Sequence, residues 1–244
     1  MTTAAVLTAA GSGTRLGLSG PKGLAELAGV PLVLHAARRL AGSGVVASIV
    51  VTVPPANADG FRALLAAPGR PGLGVPVTVV LGGASRQASV AAGLAALPDE
   101  VDVVLVHDCA RALATGALIR RVEAQVRAGH RAVVPGLPLT DTVKRVGPAQ
   151  DEAHPVLATV PRADLWAVQT PQGFDRELLD RAHAAGRAQA SDEATAATDD
   201  AALVEALGEP VWLVPGEEAA MKITTARDLA VAELLARDEA RVTA

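Results

Sequence analysis

Thr8 to Lys22 reads TAAGSGTRLGLSGPK, and the rest of the chain is organised around this stretch. The short apolar run before it, Ala4 to Leu7, predicts a buried β-strand, and a helical pattern begins after it near Pro31. Gly11 and Gly13 lack a Cβ, so the backbone there can take positive φ and turn successive N–H groups toward an anion. Arg15 and Lys22 add fixed positive charge at the same place. A glycine turn between strand and helix also serves packing alone, and the two best-known phosphate loops fit poorly. The dinucleotide fingerprint needs a third glycine where Leu16 stands, and an acidic residue after the second strand where Val53, Pro54 and Pro55 stand. A Walker A loop needs Gly-Lys-Ser/Thr, whereas Pro21 and Gly23 flank Lys22. A glycine loop followed by Arg and then Pro-Lys is a different pattern, and it predicts a phosphate-rich ligand.

Basic-residue usage points the same way. Lysine occurs only at Lys22, Lys144 and Lys222, the other 19 basic residues being arginine. A compact, rotatable ammonium suits a crowded phosphate site that a planar guanidinium would not fit. At 244 residues, half of them hydrophobic, the chain can bury a sizeable core, and its alternating strand-like and helix-like segments predict one α/β domain spanning residues 1–244. The single cysteine, Cys109, excludes an internal disulfide and reads as a small buried filler. No signal-peptide pattern or long uninterrupted apolar run is present, which predicts a cytoplasmic protein without a membrane span. A net charge of −4, two Trp, two Phe and no Tyr argue against a nucleic-acid binder.

Farther along, PLVLHAARRLAGSG predicts a helix with His35 packed inside it, Val45 to Val53 a buried strand, and residues 57–67 a second helix. This is the βαβ alternation of a mostly parallel sheet. The strand Val77 to Leu81 runs into GGASRQAS, a second glycine turn before a helix, so both turns would share a crevice if their strands are neighbours. Arg86 and Ser89 would then face it, although Ser89 equally suits a helix start, where it satisfies a backbone donor. Val101 to Val106 ends in HDCAR, placing Asp108 at a strand's carboxyl end, where holding a divalent metal such as Mg²⁺ or a substrate hydroxyl is favoured over merely capping a turn. Residues 137–161 hold two apolar-polar runs and no helix pattern, and read as a protruding two-stranded arm that a second subunit would stabilise. Gln169-Thr170-Pro171-Gln172 reads as a turn into a helix. Thr198-Asp199-Asp200 opens another helix, Val211 to Val214 is a last strand, and a C-terminal helix starts near Arg227.

Taken in order, AAGSGTR…PK, GGASRQASV, HDCAR, DTVK, VQTPQGF, ATDDAALVE and MKIT…DLAVAE resemble the 2-C-methyl-D-erythritol 4-phosphate cytidylyltransferase family across nearly the whole chain. Ala112 stands where that family usually has proline, and Ala220 where it usually has asparagine. The resemblance implies a Rossmann-like nucleotidyltransferase fold with a protruding β-arm. The implied reaction transfers a cytidylyl group from CTP to methylerythritol phosphate with release of pyrophosphate, in non-mevalonate isoprenoid synthesis. It implies that Arg15 and Lys22 stabilise the transition state, and that Arg162 and Lys222 position the acceptor phosphate. Ala9, Ala10, Gly11, Gly13, Gly83, Arg86, Ser89 and Asp108 would line the CTP and Mg²⁺ site, while Asp108, Arg111, Thr142 and Thr170 would border the acceptor. It further implies a homodimer that exchanges arms, and at this length no fused downstream cyclase domain is expected. A ribitol 5-phosphate cytidylyltransferase shares these motifs, and a catalytically silent nucleotide-binding protein is a third reading.

Overall fold

Runs of Val, Ile, Leu and Ala alternate with amphipathic segments along most of the chain, and the runs become strands of a sheet that helices cover on both faces. A computed structural model describes residues 1–11, 13, 16, 20–66 and 73–242. The elements are β1 (Thr2–Thr8), β2 (Glu26–Leu27), β3 (Val30–Pro31), α1 (Leu32–Gly42), β4 (Ser48–Val53), α2 (Ala58–Ala66), β5 (Val77–Leu81), α3 (Arg86–Ala95), β6 (Val101–Asp108), α4 (Gly116–Arg127) and β7 (Ala132–Pro138). They continue with β8 (Val143–Val146), β9 (Val156–Val160), β10 (Trp166–Val168), β11 (Gln172–Asp175), α5 (Arg176–Ala185), α6 (Asp200–Ala206), β12 (Trp212–Pro215) and α7 (Ala226–Val242).

The main sheet runs β5-β4-β1-β6-β11-β7, with β12 on the far edge of β7. β10 and β11 lie in tandem along one edge of β7 and are antiparallel to it; the other strands of this sheet share one direction. Because side chains alternate along a strand, Ala5 and Leu7 enter one core while Ala4 and Val6 enter the other. The first core packs α1, α2 and α4 against the sheet through Val33, Phe61 and Ile119; the second packs α3, α5 and α6 through Val90, Leu178 and Val204. This two-sided covering explains why the strands read as continuous apolar runs rather than alternating ones.

Two features differ from, or add to, the sequence expectation, and a third matches it. The turn at Gln169–Gln172 does not enter a helix directly: β11 intervenes, antiparallel between β6 and β7, and α5 follows it. Gln-Gly-Phe-Asp carries little β signal because its fit depends on what is missing. A Cβ on Gly173 would stand 2.7 Å from Val122 Cγ1 and 2.9 Å from Val126 Cγ2, both on α4. β2 and β3 form a small hairpin ahead of α1, turning through Ala28 and Gly29, both at positive φ. Ala28 N donates to Glu233 Oε1 on α7 at 2.7 Å, and Arg39 of α1 pairs with Glu239, so the C-terminal helix is fastened to the start of the chain. Finally, among the described residues β8 and β9 pair only with each other, forming the separate two-stranded arm, on which Val146, Val156 and Leu157 are exposed.

Gly173→Ala should cost about 1–3 kcal/mol in urea unfolding, because α4 must yield to the new methyl group. Gly60→Ala, in α2 where nothing lies within 4 Å of the place a methyl group would occupy, should be neutral or gain up to about 1 kcal/mol. Equal effects at the two sites would show that the close approach of β11 to α4 is not what places this strand.

Candidate active site

Strand order reverses between β1 and β6, and open α/β sheets bind ligands outside the carboxyl ends of strands at such a point. β1 passes there into the first glycine loop, and β6 ends there on Asp108. Gly13 has φ +73°, and a Cβ on it would lie 2.7 Å from Gly20 O and 3.1 Å from Lys22 N, so only glycine lets the loop close back on itself. Lys22 N donates to Gly11 O at 3.0 Å and completes the closure. The second turn is just as tight: a Cβ on Gly83 would meet Ala88 Cβ at 2.5 Å, and one on Gly82 would meet Ala10 Cβ at 2.9 Å.

β1 and β5 are not neighbours, the condition that the sequence reading set for a shared crevice; β4 lies between them. The two turns meet nonetheless over the end of β4. Ala9 N donates to Thr52 O at 2.8 Å and Gly82 N to Val53 O at 2.8 Å, so one strand end anchors both loops.

Together they enclose a cavity of about 430 Å³, lined by Ala10, Gly11, Gly13, Lys22, Gly83, Arg86, Ser89, Asp108 and Lys222 among others. This size suits a small ligand. Ala9 is buried behind the wall. Asp108, 7% exposed, is the electrostatic centre: its Oδ2 lies 2.8 Å from Lys222 Nζ, its Oδ1 lies 3.2 Å from Arg86 Nε, and Thr8 Oγ1 donates to it at 3.3 Å. Burial would raise the Asp108 pKa, but Arg86 and Lys222 outweigh it and hold the carboxyl well below the usual carboxylate range. Burial likewise works against Arg86, whose pKa is nevertheless raised by Asp200 and Asp108. Burial followed by the Asp108 charge pushes the Cys109 thiol up to about 12, so this cavity-lining sulfur stays protonated and is a poor nucleophile.

Several residues act on the cavity through backbone. Thr170 Oγ1 accepts from Asp108 N at 3.1 Å and lies 2.9 Å from His107 Nδ1, so its hydroxyl holds the end of β6. His107 is wholly buried, and that burial lowers its pKa to about 4, leaving the ring neutral at pH 7. Ser89 Oγ accepts from Gly83 N at 3.1 Å and donates to Ser85 O at 2.9 Å, which makes it both a cavity-lining residue and the brace of the second turn. Arg111 donates to Ala220 O at 2.7 Å and Val168 O at 3.1 Å, tying three loops together. A backbone carbonyl serves it at 220, so the side chain there is free to be alanine. Ala112 is wholly buried among Leu27, Leu32 and Ile223.

Arg15 lies outside the described residues. Thr142 and Arg162 are exposed at the base of the arm and do not line the cavity within this subunit, and Lys144 is occupied along the arm, its Nζ donating to Thr159 Oγ1 at 2.6 Å. Conversely, the cavity includes residues that the motifs did not single out: Thr8, Ser85, Glu193 and Thr224. Glu193 Oε2 accepts from Arg86 N at 2.9 Å, and Thr224 follows Lys222 on a segment held by Ile223 N donating to Ala110 O at 2.8 Å. Among the described residues no group of three His, Cys, Asp or Glu side chains could hold a metal by itself.

The family model of 2-C-methyl-D-erythritol 4-phosphate cytidylyltransferase matches residues 3–238. A protein of that name from Streptomyces avermitilis is 50% identical over 238 residues, covering 96% of this chain and 92% of its own. Another from Rhodococcus opacus is 47% identical over 236 residues, covering 97% and 96%. The crystal structure of the 2-C-methyl-D-erythritol 4-phosphate cytidylyltransferase from Thermus thermophilus superposes with a TM-score of 0.75 at 37% identity, over 97% of this chain and all of that one. With the family model spanning almost every described element of the sheet and both glycine turns, the chain belongs to the 2-C-methyl-D-erythritol 4-phosphate cytidylyltransferase family.

Proposed function

We propose that this chain transfers the cytidylyl group of CTP to the phosphate of 2-C-methyl-D-erythritol 4-phosphate, giving 4-diphosphocytidyl-2-C-methyl-D-erythritol and pyrophosphate in isoprenoid biosynthesis. The observation that carries this reading is that Lys22 shares one cavity at the sheet's switch point with Asp108 and its partners Arg86 and Lys222, in a chain of this family. A ribitol 5-phosphate acceptor is not favoured, since the matched family and relatives carry the methylerythritol phosphate name. A non-catalytic role is disfavoured by the retained cations.

The chemistry asks little of proton transfer. A phosphate is already a competent nucleophile, so rate depends on aligning it with the α-phosphate of CTP and on neutralising charge as pyrophosphate leaves. In this reading the chain is one nucleotidyltransferase domain, working in the cytoplasm. Ala9, Ala10, Gly11, Gly13, Gly83 and Ser89 shape a cytosine-sized slot, Lys22 and Arg15 stabilise the transition state, and Lys222 with Arg162 holds the acceptor phosphate. Thr142, Arg111 and Thr170 border the acceptor. Asp108 and Glu193 are the carboxylates at the cavity, and cations hold both oxygens of Asp108. That donor set fits Mg²⁺ carried in by nucleotide phosphates, with Asp108 as its protein-side partner, rather than an ion caged by protein alone. When bound, the metal would neutralise phosphate charge.

Thr142 and Arg162 lie outside the cavity of their own subunit, and the arm leaves Val156 and Leu157 59% and 63% exposed. A symmetric dimer that exchanges arms accounts for both facts, covering the apolar arm and bringing these two residues to the neighbouring subunit's cavity.

Incubation with CTP, Mg²⁺ and each polyol phosphate in turn, with pyrophosphate as readout, tests the assignment; turnover is expected with methylerythritol phosphate. Lys22→Ala should lower turnover by about 10²- to 10³-fold while CTP binding weakens far less, because its charge is felt mainly in the transition state. Near-normal turnover in that variant would make the first loop purely structural. Mixing inactive Arg162→Ala and Lys22→Ala subunits should restore roughly a quarter of full activity, as each heterodimer rebuilds one complete site of two. A monomer in sedimentation, or no recovery on mixing, refutes the shared site.

A further inference from the structure

A line of alternating charges leaves the cavity and runs into the protein. Lys222 pairs with Asp108, Asp108 with Arg86 Nε, and Arg86 Nη1 with Asp200 Oδ2 at 2.8 Å. Asp200 Oδ1 then accepts from His183 Nε2 at 2.9 Å. Asp200 is wholly buried at the first position of α6, and His183 is 7% exposed on α5. The α6 N-terminus is fixed in turn: Gln172 of β11 bonds Asp199 Oδ2 at 2.8 Å and accepts from Ala201 N at 3.3 Å. Burial opposes the Asp200 charge, but Arg86 and the His183 hydrogen bond prevail and keep the carboxyl below its ordinary range.

The two carboxylates that hold Arg86 differ in what they face. Asp108 lines the cavity and is open to competition from a ligand hydroxyl or cation; Asp200 does not line it. A guanidinium held by Asp108 alone would be released whenever a nucleotide engaged that carboxylate, and it would then swing onto the nearest phosphate. With Asp200 behind it, Arg86 keeps its place. A planar guanidinium, with donors pointing to both sides, suits such a fixed bridge between two carboxylates.

We propose that Asp200, held by His183, is a positioning residue for nucleotide binding: it fixes Arg86, and through it Asp108, in the geometry that CTP meets. The inference rests on the functional reading above. Its rival is that Asp200 only packs α6 against α3, in which case its loss lowers the folded fraction without altering the affinity of the molecules that do fold.

The test is CTP affinity of the full chain without acceptor, by calorimetry in the presence of Mg²⁺, beside thermal unfolding. Asp200→Asn should weaken CTP binding about tenfold, the loss expected when one hydrogen-bonded charge partner is removed. His183→Ala, which leaves both charges in place, should act in the same direction to a smaller extent, and His183→Gln, which retains an N–H donor, should restore part of it. In an Arg86→Gln background, Asp200→Asn should add no further loss, because its effect passes through Arg86. Should Asp200→Asn not fold, His183→Ala decides alone. Unchanged CTP affinity in the folded variants, or an undiminished effect of Asp200→Asn in the Arg86→Gln background, overturns the inference. Absence of CTP binding by the unaltered chain overturns the functional reading and the inference with it.

Discussion

The carboxylate of Asp108 is a nearly buried negative charge at the end of a central strand, and a charge in that position is tolerable only if partners are brought to it. The partners come from distant parts of the chain: Arg86 from the start of α3, Lys222 from the segment between β12 and α7, and Thr8 from the end of β1. Each must be delivered within hydrogen-bond reach. The fastening of α7 to the first hairpin and to α1 belongs to the same requirement, since the segment bearing Lys222 is pinned between Ala110 and that helix. The cavity is therefore what remains when three loops converge on one carboxylate.

Convergence also sets the glycine positions. The two turns approach until a Cβ on Gly82 of one would lie 2.9 Å from Ala10 Cβ of the other, and both are hydrogen-bonded to the end of β4. Proline at 54 and 55 leads the chain away from β4 at that point, leaving the space above the strand end to the flanking loops. Glycine here answers to close approach of backbone, and the concave surface that results exposes main chain to a ligand.

Much of this was legible in the sequence because it depends on local pattern. Buried parallel strands appear as uninterrupted Val-rich runs, helices as apolar spacing, and turns as glycine pairs. Lys22, Arg86, Asp108 and Lys222 stand at motif positions whose chemistry is plain from residue type. What was not legible depends on contacts between distant segments. β11 is a strand because Gly173 fits under α4, which no feature of Gln-Gly-Phe-Asp announces. Glu193 and Thr224 reach the cavity only through the paths of their loops, and Asp200 reads as a helix-start residue until Arg86 and His183 are seen on either side of it. Thr142 and Arg162 present the opposite case: motif positions that lie exposed and outside the cavity.

The scarcity of lysine matches the duties at these positions. Arg86 bridges two carboxylates, a fixed role for which a planar fork with several donors is suited. Lys222 pairs with one carboxylate oxygen, with its side chain 43% exposed, and Lys22 lines the same cavity. In the proposed reaction three phosphates enter, a fourth attacks and two leave together, so the cations nearest the chemistry must follow charge that moves. An ammonium on a four-carbon stem can leave Asp108 for a phosphate oxygen and return without reordering a multidentate network. Arginine at 222 would hold Asp108 more firmly and give it up less readily. A chain that uses arginine for almost every other basic position, and keeps lysine at these two, thus separates the cation that defines the site from those that respond to its occupant.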